Sequence, residues 1–128
     1  MIIKPTLVLG ASLKSIRYSH LAVQRLQRYN HLVIAVGLRS GTIDDVEVIT
    51  FESAFAKAET DRNTIDTVTL YIGPKHQHQY MDYVVSLQPK RVIFNPGTEN
   101  SVFYKLLKEN NINFEVACTL VLLGTNQY

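Results

Sequence analysis

Near-continuous apolar runs alternate with helical-period segments from one end of this chain to the other, and α/β layering is what that order calls for. Thr6–Leu9, Leu32–Val36, Val68–Ile72 and Arg91–Phe94 have the composition of strands covered on both faces. Between them, apolar residues recur at intervals of three and four. Tyr80, Tyr83, Val84 and Leu87 form one such stripe, and Val102, Phe103, Leu106 and Leu107 another, both expected to face a core. Ser19–Tyr29 reads as the first helix, with Ser19 its N-cap and Asn30 near its C-terminal end. Pro89 stops a helix near Gln88, because the residue before a proline avoids helical backbone. Thr98 or Asn100 caps the next helix, Asn110-Asn111 closes it, and Asn113–Val116 is a last strand. Regularity is weakest in the middle of the chain. There Glu47–Thr50 is expected as a short strand, Glu52–Ala58 as a short helix and Lys57–Asn63 as a polar surface loop.

Strands joined by short helical connections give a parallel sheet with right-handed crossovers. The expected architecture is three-layer and Rossmann-like, a doubly wound, mainly parallel sheet of about five to six strands in a single domain over residues 1–128. Ligands of such sheets lie beyond the carboxyl ends of the strands, where the strand order reverses. The loops Gly10–Arg17, Gly37–Gly41, Gly73–His76 and Asn95–Thr98 should therefore converge.

Charge and composition close off other classes. Thirteen Lys and Arg against eleven Asp and Glu leave a net charge of +2 with the cations scattered, which argues against nucleic acid as a partner. No apolar run approaches the roughly 20 residues that span a bilayer, so no membrane role is expected. The opening Met1–Pro5 leaves no room for a secretory signal, and the cytoplasm is the expected compartment. A lone Cys118 excludes an internal disulfide and any cysteine-based zinc cluster; it reads as a small buried hydrophobe. His76 and His78, two apart, do not share a helix face, and no metal is assigned to them.

The strand Thr6–Leu9 runs into Gly10-Ala-Ser12 and then a helix start, the arrangement by which α/β proteins hold phosphate. Amide hydrogens at the turn and at the helix start are expected to point outward without partners. Lys14, Arg17 and Ser19 lie close enough in sequence to join them, although Ser19 also suits a plain cap. The glycine spacing of a dinucleotide fingerprint is missing, with serines at 12 and 15. After the second strand comes Val36-Gly-Leu-Arg39, with no acid before Asp44. An arginine there suits a ribose phosphate, which NADP and coenzyme A both carry.

The Gly10-Ala-Ser12 turn, the Arg17-x-Ser19 helix entry and the basic residue after the second strand resemble the small stand-alone CoA-binding domain proteins of bacteria and archaea. These are similar to the CoA-binding domain of the succinyl-CoA synthetase α subunit. The resemblance covers nearly the whole chain, including Asn95-Pro-Gly97 and Cys118. It implies that Gly10, Ala11 and Ser12 cradle the pyrophosphate and that Arg39 meets the phosphorylated ribose. It further implies that Ile72, Gly73 and Pro74 wall the adenine or the pantetheine arm, and that Asn95, Pro96 and Gly97 lie near the pantetheine. The chain departs from the family at Gly37-Leu38, where Asn-Pro or Ser-Pro is common, and in the Gly73-Pro-Lys-His76 loop. It also lacks the synthetase's second domain, so the resemblance implies binding without the ligase reaction.

The sequence holds neither a nucleophile elbow nor a phosphate-binding loop with an invariant lysine. Glu99, beside Pro96-Gly97, is the carboxylate to test as an acid or base. The chain is therefore expected to be a binding module for coenzyme A or an acyl-CoA, with a protein partner or a homodimer in view, rather than an enzyme. The alternatives are an NADP-binding oxidoreductase and an interaction scaffold that has lost its ligand.

Overall fold

Alternate side chains of a strand enter opposite layers, and here the two faces of one sheet carry separate cores. The computed structural model describes residues 2–128. Its strands are β1 (Thr6–Leu9), β2 (Val33–Gly37), β3 (Gly41–Ile43), β4 (Val46–Thr50), β5 (Thr67–Leu70), β6 (Arg91–Phe94) and β7 (Asn113–Val116). They lie in the order β3-β4-β2-β1-β5-β6-β7, every pair parallel except β3 with β4. The helices are α1 (Tyr18–Arg28), α2 (Phe51–Ala56), α3 (Ala58–Asp61), α4 (His78–Leu87), α5 (Ser101–Glu109) and α6 (Thr119–Gly124). Leu7, Leu9, Val36, Leu70 and Phe94 pack with Tyr83 and Val84 of α4 and Phe103 of α5. On the opposite face Val8, Ala35 and Val48 meet Val23 and Leu26 of α1 and Leu123 of α6. The result is the expected three-layer, doubly wound α/β sandwich. Strand order reverses between β1 and β5, which fixes where a ligand cleft should open.

Local details depart from expectation for identifiable reasons. The seventh strand, β3, is an edge hairpin of three residues whose turn residue Asp44 takes φ 53°; one buried side chain, Ile43, leaves no period to read. Residues 58–61 form α3 instead of loop. In α5, which Asn100 caps, Phe103 and Leu107 are buried while Val102 is 66% exposed. Ser19 does not cap α1: the helix starts at Tyr18, and the preceding Arg17 makes no side-chain cap.

At the amino ends of the strands, Tyr128 fits between β1 and β6. Its hydroxyl meets Thr6 Oγ1 at 2.6 Å, and the Arg91 guanidinium lies 4.5 Å from its ring centre. His31, its ring tilted against the same ring at 4.9 Å, accepts the Lys4 N–H on Nδ1 at 3.0 Å, which requires a bare nitrogen. Burial lowers the His31 pKa, Lys4 and Arg91 lower it further, and Asp66 opposes them. Unfolded histidine takes up its proton near 6.5 while folded His31 resists. Stability should therefore fall as pH drops below about 6.5, with no loss at neutral pH. Urea unfolding at pH 7.5 and 5.5 should show that fall in the wild type and a smaller one in His31→Asn, which keeps an acceptor that does not titrate. Equal falls would exclude His31 as the source.

Candidate functional site

β1 passes into α1 through the bend Gly10–Arg17, laid across the ends of β2 and β5. Gly10 has φ +100°, and a Cβ there would sit 2.9 Å from the Tyr71 carbonyl oxygen, so close packing on β5 demands glycine. The Gly10 and Ala11 N–H groups both donate to the Val36 carbonyl, at 2.8 and 2.9 Å. The Ser12 N–H donates to Ser19 Oγ at 3.1 Å, and the Lys14 N–H to Ser12 Oγ at 3.1 Å. The expected free amides of Gly10-Ala-Ser12 are thus occupied, which corrects that reading. The bend needs those bonds to hold its own shape. Among the described residues, the N–H groups of Leu13, Ser15 and Ile16 meet no acceptor, and they flank Lys14 and Arg17.

Above the carboxyl ends of β1, β2 and β5 opens a cavity of about 810 Å³. The bend contributes Gly10, Ala11, Ser12, Lys14 and Arg17, and α1 contributes Ser19. Arg39 reaches it from the loop after β2, and Ile72 and Gly73 from the loop after β5. Four expected residues are not brought there. Pro74 opens a 3₁₀ turn (Pro74–His76) from which only His76 lines the cavity. Asn95, Pro96 and Gly97 lie one strand too far, after β6. Asn95 is 1% exposed, and its side chain is committed within the fold. Its Nδ2 donates to Thr69 Oγ1 at 2.7 Å and to the Leu70 carbonyl at 2.9 Å, and its Oδ1 accepts the Thr119 N–H at 2.9 Å. Glu99 is likewise engaged, accepting the Gly97 N–H at 2.8 Å.

The sequence reading did not include the aromatic wall. Phe51, immediately after β4, meets Tyr80 of α4 edge-on at 4.6 Å, and both line the cavity with Tyr71. Tyr80 had been expected to serve only the core stripe; it is 7% exposed and serves both. The signal for Phe51 was its place at the carboxyl end of a parallel strand, the edge where such sheets bind ligands. Burial pushes the Tyr71 phenol well above the ordinary tyrosine range, with the Cys118 thiol adding to the shift. Tyr71 is therefore a hydroxyl, not a base, at physiological pH. Cys118 itself is half-buried and does not line the cavity.

The electrostatics are one-sided. Lys14, Arg17 and Arg39 line the cavity with no carboxylate among its walls. The same cavity joins these cations, and Leu13 with its unpartnered amide, to aromatic and aliphatic side chains. Such an arrangement suits an elongated ligand that is polyanionic at one part and apolar at another. Among the described residues no three His, Cys, Asp or Glu gather as a metal site, and no helix is long and apolar enough to cross a membrane.

The chain is similar to known proteins in family and in fold. A family model described as a CoA binding domain matches residues 4–124. A crystal structure of an uncharacterized protein is 40% identical, covers 100% of both chains and superposes with a TM-score of 0.86. A protein of Thermus thermophilus, cell-free ID.343, is 22% identical over 98% of this chain and 91% of its own, with a TM-score of 0.80. A hypothetical protein from Pyrococcus horikoshii OT3 is 21% identical over 93% of this chain and 80% of its own, with a TM-score of 0.76. The last two show the fold alone. No curated protein matches the chain.

Proposed function

The chain belongs to the CoA-binding domain family, and from that premise we propose that its cavity holds coenzyme A or an acyl-CoA as a binding module without a reaction of its own. The observation that carries this reading is the pairing of three cations and no carboxylate with an aromatic wall in one cavity at the β1/β5 switch point. In this reading the diphosphate lies along the bend, met by the free amides of Leu13, Ser15 and Ile16 and by Lys14 and Arg17. Arg39 takes the ribose phosphate, and Ile72, Gly73, Phe51 and Tyr80 cover the adenine or the pantetheine. Pro74, Asn95, Pro96 and Gly97 have no ligand contact in it. The bound molecule would be carried, sensed or handed to a partner protein.

Calorimetric titration with CoA, acetyl-CoA, NADP and NAD tests it. CoA should bind at least about tenfold more tightly than either nicotinamide nucleotide. A preference for NADP would point to an oxidoreductase, and no uptake of any of the four to a scaffold without a ligand. Arg39→Ala should weaken CoA by about 10- to 100-fold, the worth of a charge-assisted contact, while leaving dephospho-CoA unchanged. Equal losses for the two ligands would remove Arg39 from the ribose phosphate.

A further inference from the structure

Three neighbours hold Ser12. Besides the bonds at its N–H and Oγ, its carbonyl oxygen faces His20 Nδ1 at 2.9 Å. A carbonyl has no proton to give, so Nδ1 carries it and the imidazole of His20 donates. In a trans peptide the Ser12 C=O and the Leu13 N–H point in opposite directions. Holding the carbonyl against α1 therefore turns the Leu13 N–H away from that helix. Leu13 lines the cavity, and no acceptor among the described residues meets its N–H.

We propose that His20 is a positioning residue for the anionic part of the ligand: by fixing the peptide between Ser12 and Leu13 it keeps a hydrogen-bond donor, not a carbonyl oxygen, turned towards the diphosphate. This rests on the coenzyme A reading given above. Leu13 through Tyr18 are all exposed, so packing does little to stop that peptide from rotating once the brace is gone. A rotated plane sets carbonyl oxygen against phosphate oxygen. His20 is half-buried and is not part of the cavity wall, so it acts through the backbone it holds.

The test is a calorimetric series with CoA. His20→Leu should bind about tenfold more weakly, the worth of one net hydrogen bond. His20→Asn, whose Nδ2 takes the place of Nδ1, should stay within about threefold of the wild type. His20→Gln, whose donor lies one bond farther out, should resemble His20→Leu. Adenosine 3′-monophosphate, which lacks the diphosphate, should shift the NMR spectra of all four proteins at the same concentrations. A wild type that takes up no CoA overturns the ligand reading and this inference with it. A wild type that binds CoA, beside a leucine variant that binds equally well or an asparagine variant that fails to rescue, overturns the brace alone. Weaker adenosine 3′-monophosphate binding in His20→Leu would also overturn it, since the damage would then extend beyond the diphosphate.

Discussion

Gly37→Ala is expected to lower the thermal unfolding midpoint by about 10 °C and to abolish CoA binding with it. A Cβ at Gly37 would lie 2.2 Å from the Ala11 carbonyl oxygen and 3.3 Å from Val48 Cγ1. The nearer atom is backbone, so no rotamer change relieves the clash. Ala11 is itself tied to β2 through its N–H on the Val36 carbonyl. Either the bend lifts off the end of β2 or β2 shifts against β4, and overpacking of this kind costs about 1–3 kcal/mol or more. Lifting the bend also moves Ser12, Lys14 and Arg17, which line the anion-binding part of the cavity. Scanning calorimetry and CoA titration on the one variant check both effects. A variant of wild-type stability would mean that the bend does not rest on β2 as described.

Asn95→Ala should be the more damaging change to stability, at about 3–4 kcal/mol by urea unfolding. The cost comes from partners left behind, namely the Thr119 N–H that starts α6 and the Leu70 carbonyl at the end of β5. Each is buried, and a buried group without its partner costs about 1–3 kcal/mol. Asn95→Asp should be no milder, because a carboxylate has no hydrogen to offer Leu70 or Thr69 and is buried at 1% exposure. Pro96→Ala, on the exposed part of the same loop, should change stability little. A loss of CoA affinity in Pro96→Ala at unchanged stability would return that loop to the ligand site.

The alternation of apolar runs and helical stripes made the layered sheet legible, because the strands are buried on both faces and read as unbroken apolar stretches. β6 was found at its bounds for that reason. β3 and α6 are short elements at the periphery, three and six residues long, too brief for a period to stand out. Of the expected site, the residues next to strand ends at the switch point came together, since topology alone sends Gly10, Arg39 and Ile72 to one edge. Asn95 was assigned to the ligand because a polar residue after a strand has the same appearance whether it faces a ligand or a buried network. Only the positions of Thr69 and Thr119, 26 residues before it and 24 after, distinguish the two. His20 and Phe51 were passed over for a related reason. One bonds to a carbonyl, which no side-chain pattern records, and the other meets Tyr80 and Tyr83 only when α2 and α4 come together.

The most direct measurement is a crystal structure of the protein grown with CoA. The account predicts diphosphate oxygens within hydrogen-bonding distance of the Leu13, Ser15 or Ile16 amides and of Lys14 or Arg17, with the ribose phosphate on Arg39. A CoA molecule bound with its diphosphate away from the bend, or on any other face of the sheet, would contradict it.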